Sequence, residues 1–310
     1  MKILVTGSLG LVGSATQALF EKKGHSVIGI DSNMRSVFFG TESKSGAFDI
    51  DIREEGEISK LFSEHQFDAI IHTAAQPSHD WSTDHVLTDF DINARGTVVL
   101  LEATRKFCPD AVFVHVSTDK VYGENMHGET PFKEGLGLDF AGHRSFFGCS
   151  KTAADIYVQE YANEFGLKSA IFRCGCITGK NHAGAEKHGF LAYLAKCIRE
   201  EKLYTIFGLK GKQVRDQIHA DDLAAAFYQV VMRPRVGEVY NMGGGPERAV
   251  SVLEAITALE TAIGKTAIIE YGPERPGDRV WDVHDVSKFR SHYPDWDYQY
   301  DLRDIINDLI

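Results

Sequence analysis

The chain has 310 residues, 43% of them hydrophobic, which is enough apolar material for one large core or two closely joined ones. Its formal net charge of -11 is the wrong sign for a nucleic-acid or anionic-membrane partner, although local cations can still hold a small anionic ligand. Five cysteines without a CxxC pair speak against a disulfide framework or a zinc cluster, and no signal-peptide pattern or apolar run of about 18 residues is present, so the expected setting is cytoplasmic.

In chain order, Ile3 to Thr6 reads as a strand, and Gly7, Gly10 and Gly13 follow it at G-x-x-G-x-x-G spacing, with Leu11 and Val12 opening a helix to Lys23. Glycines there let the backbone turn tightly and approach a pyrophosphate, whose charge the helix N-terminus stabilises. A second strand, Val27 to Ile30, leads to Asp31. A carboxylate at that point accepts the ribose hydroxyls of adenosine and repels a 2'-phosphate, which favours NAD over NADP, with Arg35 close by as a counterweight. The stretch Asp49 to Arg53 closes a third strand, so Asp51 and Ile52 are candidates to bracket adenine. His72 to Gln76 closes the fourth, Ala69 to His72, and brings Ala74 and Ala75 to the same site. Helices are expected over Ile58 to His65, Ala94 to Lys106 and Lys151 to Phe165, and further strands over Val112 to Val116 and Ala170 to Phe172. Alternation of this kind means a parallel sheet covered on both faces.

Beyond residue 173 the rhythm gives way to loops, with Asn181 to His188 and Gly208 to Asp216 together rich in Gly, Lys and His. A stripe of Val252, Ile256, Leu259 and Ile263 reads as a core helix. The expected architecture is an α/β fold, a doubly wound, Rossmann-like parallel sheet with a smaller, partly interleaved C-terminal domain. Residues 1–173 form the NAD-binding part and 174–310 mainly the substrate part, with about 216–245 returning to the first. His182 and His188, with Glu186 between them, match no common zinc spacing, so no metal is expected.

Several segments carry a resemblance: the glycine loop, Asn93 in NARGT, VSTDKVYG (Val116 to Gly123), FFGCSK (Phe146 to Lys151), VRDQIHADDL, VYNMGGG and RPGDR. Together they resemble the extended short-chain dehydrogenase/reductase superfamily of nucleotide-sugar epimerases and dehydratases, over nearly the whole chain. Within it, GCSKTAADIYVQEYANEFGL and GKQVRDQIHADDL look most like the 2-epimerases of CDP-hexoses. Lys120 stands where the 4,6-dehydratases of that superfamily have a catalytic Glu. The resemblance implies an NAD-dependent epimerase of a nucleoside-diphosphate sugar acting by transient hydride abstraction, and a homodimer built from the helix pair that carries Val98, Leu101, Tyr157 and Tyr161. It implies Asn93 among the cofactor residues, Thr118 on the sugar hydroxyl, Lys151 on the nicotinamide ribose, and Arg215 and Arg279 on the diphosphate. The loop with Asn181 would cover the sugar.

The chief departure lies at Phe147, where the superfamily's Tyr-x-x-x-Lys pair has its Tyr. A phenyl ring moves no proton, and a missing general base costs about 10²–10⁴ in rate. Three readings stay open: an engineered Tyr→Phe change, a natural variant with another base, and an NAD-binding regulator without catalysis. A dehydratase or reductase on the same scaffold is a further alternative. His143, Cys149 and Tyr122 are the sequence's candidates for a replacement base.

Overall fold

The computed structural model describes residues 1–34, 36, 46–123, 131–135, 137–138, 143–180, 182, 189–274 and 278–310. Asn181 and the rest of its loop to His188 apart from His182, like Arg35, lie outside the described residues.

The first half alternates strand and helix. Strands β1 (Lys2–Thr6), β2 (Ser26–Asp31), β3 (Phe48–Asp49), β4 (Ala69–His72), β5 (Val112–Thr118) and β6 (Ser169–Cys174) are joined through helices Leu11–Lys22, Glu55–Glu64, Gly96–Phe107 and Ser145–Phe165. Their side chains explain why helices cover both faces. Along β1, Ile3 and Val5 enter one apolar cluster with Phe20, Phe172 and Phe227, whereas Leu4 enters another with Phe62, Leu100 and Val158. Each strand thus serves two cores, the period-2 consequence of a pleat buried on both sides.

In the second half, β7 (Cys176–Thr178), β8 (Leu203–Phe207), β9 (Val214–His219), β10 (Glu238–Met242), β11 (Ala249–Ser251), β12 (Ile268–Gly272) and β13 (Trp281–Asp282) are shorter and pair over longer distances. The stretch Gly208 to Asp216 is less of a loop than its composition indicates, because it holds a 3-10 turn, Leu209–Gly211, and the start of β9. The large sheet runs β10-β6-β5-β4-β1-β2-β3, every neighbouring pair parallel. Strand β10 therefore crosses back from the second half, and helix Ala220–Met232 comes with it, placing Leu223, Phe227 and Val230 in the core of the first. A smaller sheet centred on β9, which pairs with β7, β11 and β13, and a separate core of Leu191, Leu194, Tyr204, Val252 and Leu259 make the second unit.

Chain order in the large sheet reverses between β1 and β4, and in open α/β sheets ligands bind beyond the carboxyl ends at that switch point. Two local irregularities lie there. A π-turn, Asp91–Arg95, precedes helix Gly96–Phe107 and turns Asn93 inward. Helix Ser145–Phe165 begins six residues earlier than the spacing after FFGCSK predicts, so Phe147 sits inside its first turn. Ser145, at that helix start, has φ 63°, a left-handed conformation that costs a non-glycine residue energy and is concentrated at functional sites.

Candidate active site

A cavity of about 800 Å³ opens over the switch point and runs from Asp31 at one end, past Thr118 and Lys151, to Arg215 at the other. Its first wall is the glycine loop. Gly7 takes φ +67°, and a Cβ there would stand 2.7 Å from the backbone of Ala74. Gly10 caps helix Leu11–Lys22 without any side-chain hydrogen bond, so backbone N–H groups of its first turn face the cavity. Leu11, Val12 and Gly13 line the same wall. Asp31 is oriented by Leu9 N–H at 3.1 Å on one oxygen and Asn33 N–H at 2.8 Å on the other. Asp51, Ile52, Ala74 and Ala75 complete this end, with the Asp51 carboxylate gripped by the Arg53 guanidinium at 2.6 Å. A narrow, side-chain-free cradle, helix dipole and aimed carboxylate fit the pyrophosphate and adenosine ribose of a dinucleotide.

In the middle lie Thr118, Phe147 and Lys151. Thr118 ends β5, and its hydroxyl donates to Asp119 at 3.1 Å. The Lys151 ammonium donates to Val116 O at 2.7 Å and lies 3.5 Å from His115 Nε2. Burial pushes Lys151 down to about 8, and burial likewise holds His72 and His115 well below the usual imidazole range. The sign of the linkage follows. Because the folded value lies below the 10.5 of the unfolded chain, the unfolded state holds the extra proton between pH 8 and 10.5, so this residue's burial penalty is full below pH 8 and relieved as pH rises. The stability difference between the native protein and Lys151→Met should therefore climb by about 3 kcal/mol across that window in denaturant titrations. A flat difference would show that the ammonium is solvated.

Not every expected residue reaches the cavity. Asn93 is buried behind it, donating to Gln76 O, Asp89 and Ser150 while accepting from Gln76 N–H at 2.9 Å. With its amide so engaged, it fixes the turn that carries Ala74 and Ala75 against the helix that carries Lys151, and does not line the cavity. Arg279 is also off the described lining: its guanidinium reaches Asp119 at 2.8 Å and Asp282 at 3.0 Å, 6% exposed. Arg215 does line the cavity, its guanidinium bonded to Asp278. Lys120 bridges Asp119 and Asp282 at 3.3 Å each. Asp119, Asp282 and His284 could converge on one cation, yet both carboxylates already hold Lys120 and Arg279. His284 is raised even though burial opposes its charge, because Asp216 sits at 2.9 Å.

The sequence's candidates for a replacement base do not meet the cavity. His143 and Cys149 are exposed, and Tyr122 is buried, donating to Asn241 at 2.6 Å, with its phenol pushed by burial up to about 12. His79 and Trp81, from the short helix His79–Asp84, do line it, and spacing alone gave no reason to single them out. Their position just beyond β4, at the switch point, is the signal that could have found them. The His79 ring meets Phe147 edge-on, with centroids 4.8 Å apart, and its Nδ1 lies 2.8 Å from Ser145 Oγ.

Comparison with known proteins accords with this geometry. A CDP-paratose 2-epimerase of Salmonella typhi is 30% identical, covering 98% of this chain and 96% of that protein. A dTDP-glucose 4,6-dehydratase of Shigella flexneri is 31% identical over 91% and 85%. Among solved structures, a Tyr-to-Phe mutant of the Bacillus cereus UDP-glucuronic acid 4-epimerase, in complex with UDP-4-deoxy-4-fluoro-glucuronic acid and NAD, superposes with a TM-score of 0.82 at 28% identity. It covers 99% of this chain and 97% of its own. The profile described as the NAD dependent epimerase/dehydratase family matches residues 3–243, and the chain belongs to that family, with NAD as its cofactor.

Proposed function

We propose that the chain epimerises a CDP-hexose at C2. NAD bound in the cradle would supply the acceptor and donor of the hydride that the inversion of C2 requires. Gly7, Gly10, Leu11, Val12 and Gly13 hold its pyrophosphate, Asp31 its adenosine ribose, Asp51 and Ile52 its adenine, Ala74 and Ala75 its middle, and Lys151 the nicotinamide ribose. Thr118 holds the sugar hydroxyl through its side-chain oxygen, and Arg215 offers a planar fork to the diphosphate. The full-length likeness to a CDP-paratose 2-epimerase supports the base and the carbon.

The observation that carries epimerisation over dehydration is Lys120. At a cavity position beside Thr118, where the resemblance puts a dehydratase's catalytic Glu, the chain has an ammonium held between Asp119 and Asp282. An ammonium has no lone pair with which to take the carbon-bound proton that a dehydration must remove. Turnover in heavy water should then leave the epimerised carbon without deuterium, read by NMR of the product. Substantial label at C2 would mean that the carbon had been deprotonated and would discard hydride return.

One observation favours a second reading, an NAD-binding regulator without turnover: Phe147 at the place of the usual phenol. It predicts NAD binding with no conversion of any sugar nucleotide. A homodimer is part of the proposal. Leu101 and Tyr161 turn inward into the core, but Leu87, Phe90, Phe146 and Tyr157 are exposed apolar side chains on the packed helices Val86–Phe90 and Ser145–Phe165. A second copy of the chain would cover them.

A further inference from the structure

Ala74 and Ala75 line the cavity on the segment that leaves β4, and that segment is held at both ends. At one end Ala74 N–H donates to Thr6 Oγ1 at 3.2 Å. At the other, the Asn93 amide takes Gln76 N–H at 2.9 Å and donates to Gln76 O at 3.0 Å. Between these ends lies His72, 1% exposed, with Nδ1 2.8 Å from Thr6 Oγ1 and Nε2 2.9 Å from Thr97 Oγ1. The Thr97 hydroxyl donates in turn to Asn93 O at 2.7 Å.

A hydroxyl has one proton to give, so this closed set of contacts admits one arrangement. The Asn93 carbonyl only accepts. With the Thr97 proton spent on it, Thr97 Oγ1 must accept from the ring, which places the imidazole proton on Nε2. Nδ1 then keeps its lone pair and takes the Thr6 proton, while Thr6 Oγ1 accepts from Ala74 N–H. The opposite tautomer would leave the Thr6 proton without an acceptor among the described residues. It would also set one Thr97 contact, to Nε2 or to Asn93 O, lone pair against lone pair. An imidazolium is disfavoured as well, because burial, with the Lys151 ammonium nearby, holds His72 well below the usual imidazole range.

We propose that His72 is a positioning residue for NAD, joining Thr6 to Thr97 in one directed hydrogen-bond chain that fixes the Ala74 and Ala75 wall against the coenzyme. The inference rests on NAD lying against that wall. The chain runs from Ala74 N–H through Thr6, His72 and Thr97 to Asn93, whose amide returns to Gln76, so the segment from 74 to 76 is closed into a loop of hydrogen bonds. Such bonds reinforce one another where the dielectric is low, and a binding wall keeps its geometry when the groups behind it are locked. The fit leaves little slack, since a Cβ on Gly7 would already stand 2.7 Å from Ala74 N.

Calorimetry with NAD and ¹⁵N NMR of the imidazoles test this on the full chain. His72→Phe keeps a ring and removes both contacts, and it should bind NAD at least about 10-fold more weakly. Thr6→Val takes away the partner of Ala74 N–H and serves as the probe should the Phe variant fold poorly. Thr97→Val should weaken NAD in the native background and add nothing in the His72→Phe background, because its link to Ala74 runs through the ring. Thr104→Val removes another buried hydroxyl of the same helix, bonded to Leu100 O at 2.7 Å, and should lower stability while leaving NAD affinity unchanged. At neutral pH the imidazole signals that His72→Phe lacks should be those of a neutral ring protonated at Nε2. If those signals report a proton on Nδ1, the assignment is overturned. It is equally overturned if His72→Phe, or Thr6→Val where that protein does not fold, binds NAD as tightly as the native chain, or if Thr97→Val weakens NAD to the same extent in both backgrounds. NAD affinity that is lost in Gly13→Ala but unmoved in His72→Phe leaves the cradle standing and removes His72 from it. A native chain that binds no NAD takes both away.

Discussion

Replacing Arg173 by Met should cost about 3–5 kcal/mol of unfolding stability, measured in urea, the loss expected when one partner of a buried ion pair is removed. Arg173 lies on β6 and is 5% exposed, and Asp155, on helix Ser145–Phe165, is fully buried. The fork is bidentate: Nε donates to one carboxylate oxygen at 3.0 Å and Nη2 to the other at 2.8 Å. Burial works against the guanidinium's charge, but Asp155 overrides it and keeps Arg173 firmly protonated. Ser117 on β5 donates to the same carboxylate at 2.7 Å, and Arg173 Nη1 donates to Tyr122 at 3.1 Å. Methionine fills much of the volume and leaves Asp155 a buried carboxylate without its counter-charge. A second change, Asp155→Leu, should recover most of the loss, because an apolar pair of similar volume often matches a buried ion pair. If Arg173→Met alone unfolds within about 1 kcal/mol of the native protein, Asp155 is solvated or neutral and the pair is not what joins these elements. The same network ties the helix carrying Phe147 and Lys151 to the strand ending in Thr118, so the double variant should be stable yet looser at the site.

The parts of this site that spacing could reveal are those whose chemistry is local. Gly7, Gly10 and Gly13 follow one strand and open one helix, and Asp31 ends the next strand, so the cradle is written within one βαβ unit. Thr118 and Lys151 were legible through motifs at the end of β5 and in the following helix. What spacing could not supply is contact between distant segments. Asn93 and Arg279 sit in motifs that suit ligands, yet packing gives each of them protein partners: Gln76, Asp89 and Ser150 for one, Asp119 and Asp282 for the other. His79 shows the reverse. Nothing in HDWSTD signals a cavity residue until helix Ser145–Phe165 is laid across the end of β4. Leu101 and Tyr161 read as outward on isolated helices and turn inward once those helices lie side by side, with the Tyr161 hydroxyl donating to Glu102 at 2.6 Å. The second half was hardest for the same reason, because β9 takes partners from β7, β11 and β13, none of them its neighbour in sequence.

Gly13→Ala should abolish measurable NAD binding, with calorimetry showing at least about a 10²-fold weaker association, the factor that corresponds to the 1–3 kcal/mol typical of forced overpacking at its upper end. The reason is backbone against backbone. A Cβ on Gly13 would stand 2.1 Å from Gly7 O, 2.7 Å from Gly7 C and 2.8 Å from Ser8 Cα, and none of these atoms can swing aside as a side chain can. Helix Leu11–Lys22 must then lift from the loop, which separates the N–H groups of its first turn from the turn at Gly7 and opens the cradle. A graded series isolates this cause. Gly10→Ala places its Cβ 3.1 Å from Gly7 O and should weaken NAD less, while Gly56→Ala, with nothing within 4 Å, should leave binding unchanged and add slight stability to its helix. Circular dichroism and melting of each variant separate a lifted helix from a lost fold. Because Gly13 carries no side chain, the position contributes only room, so the order of effects should follow the order of these clearances. A Gly13→Ala protein that binds NAD as tightly as the native chain would mean that the pyrophosphate lies elsewhere.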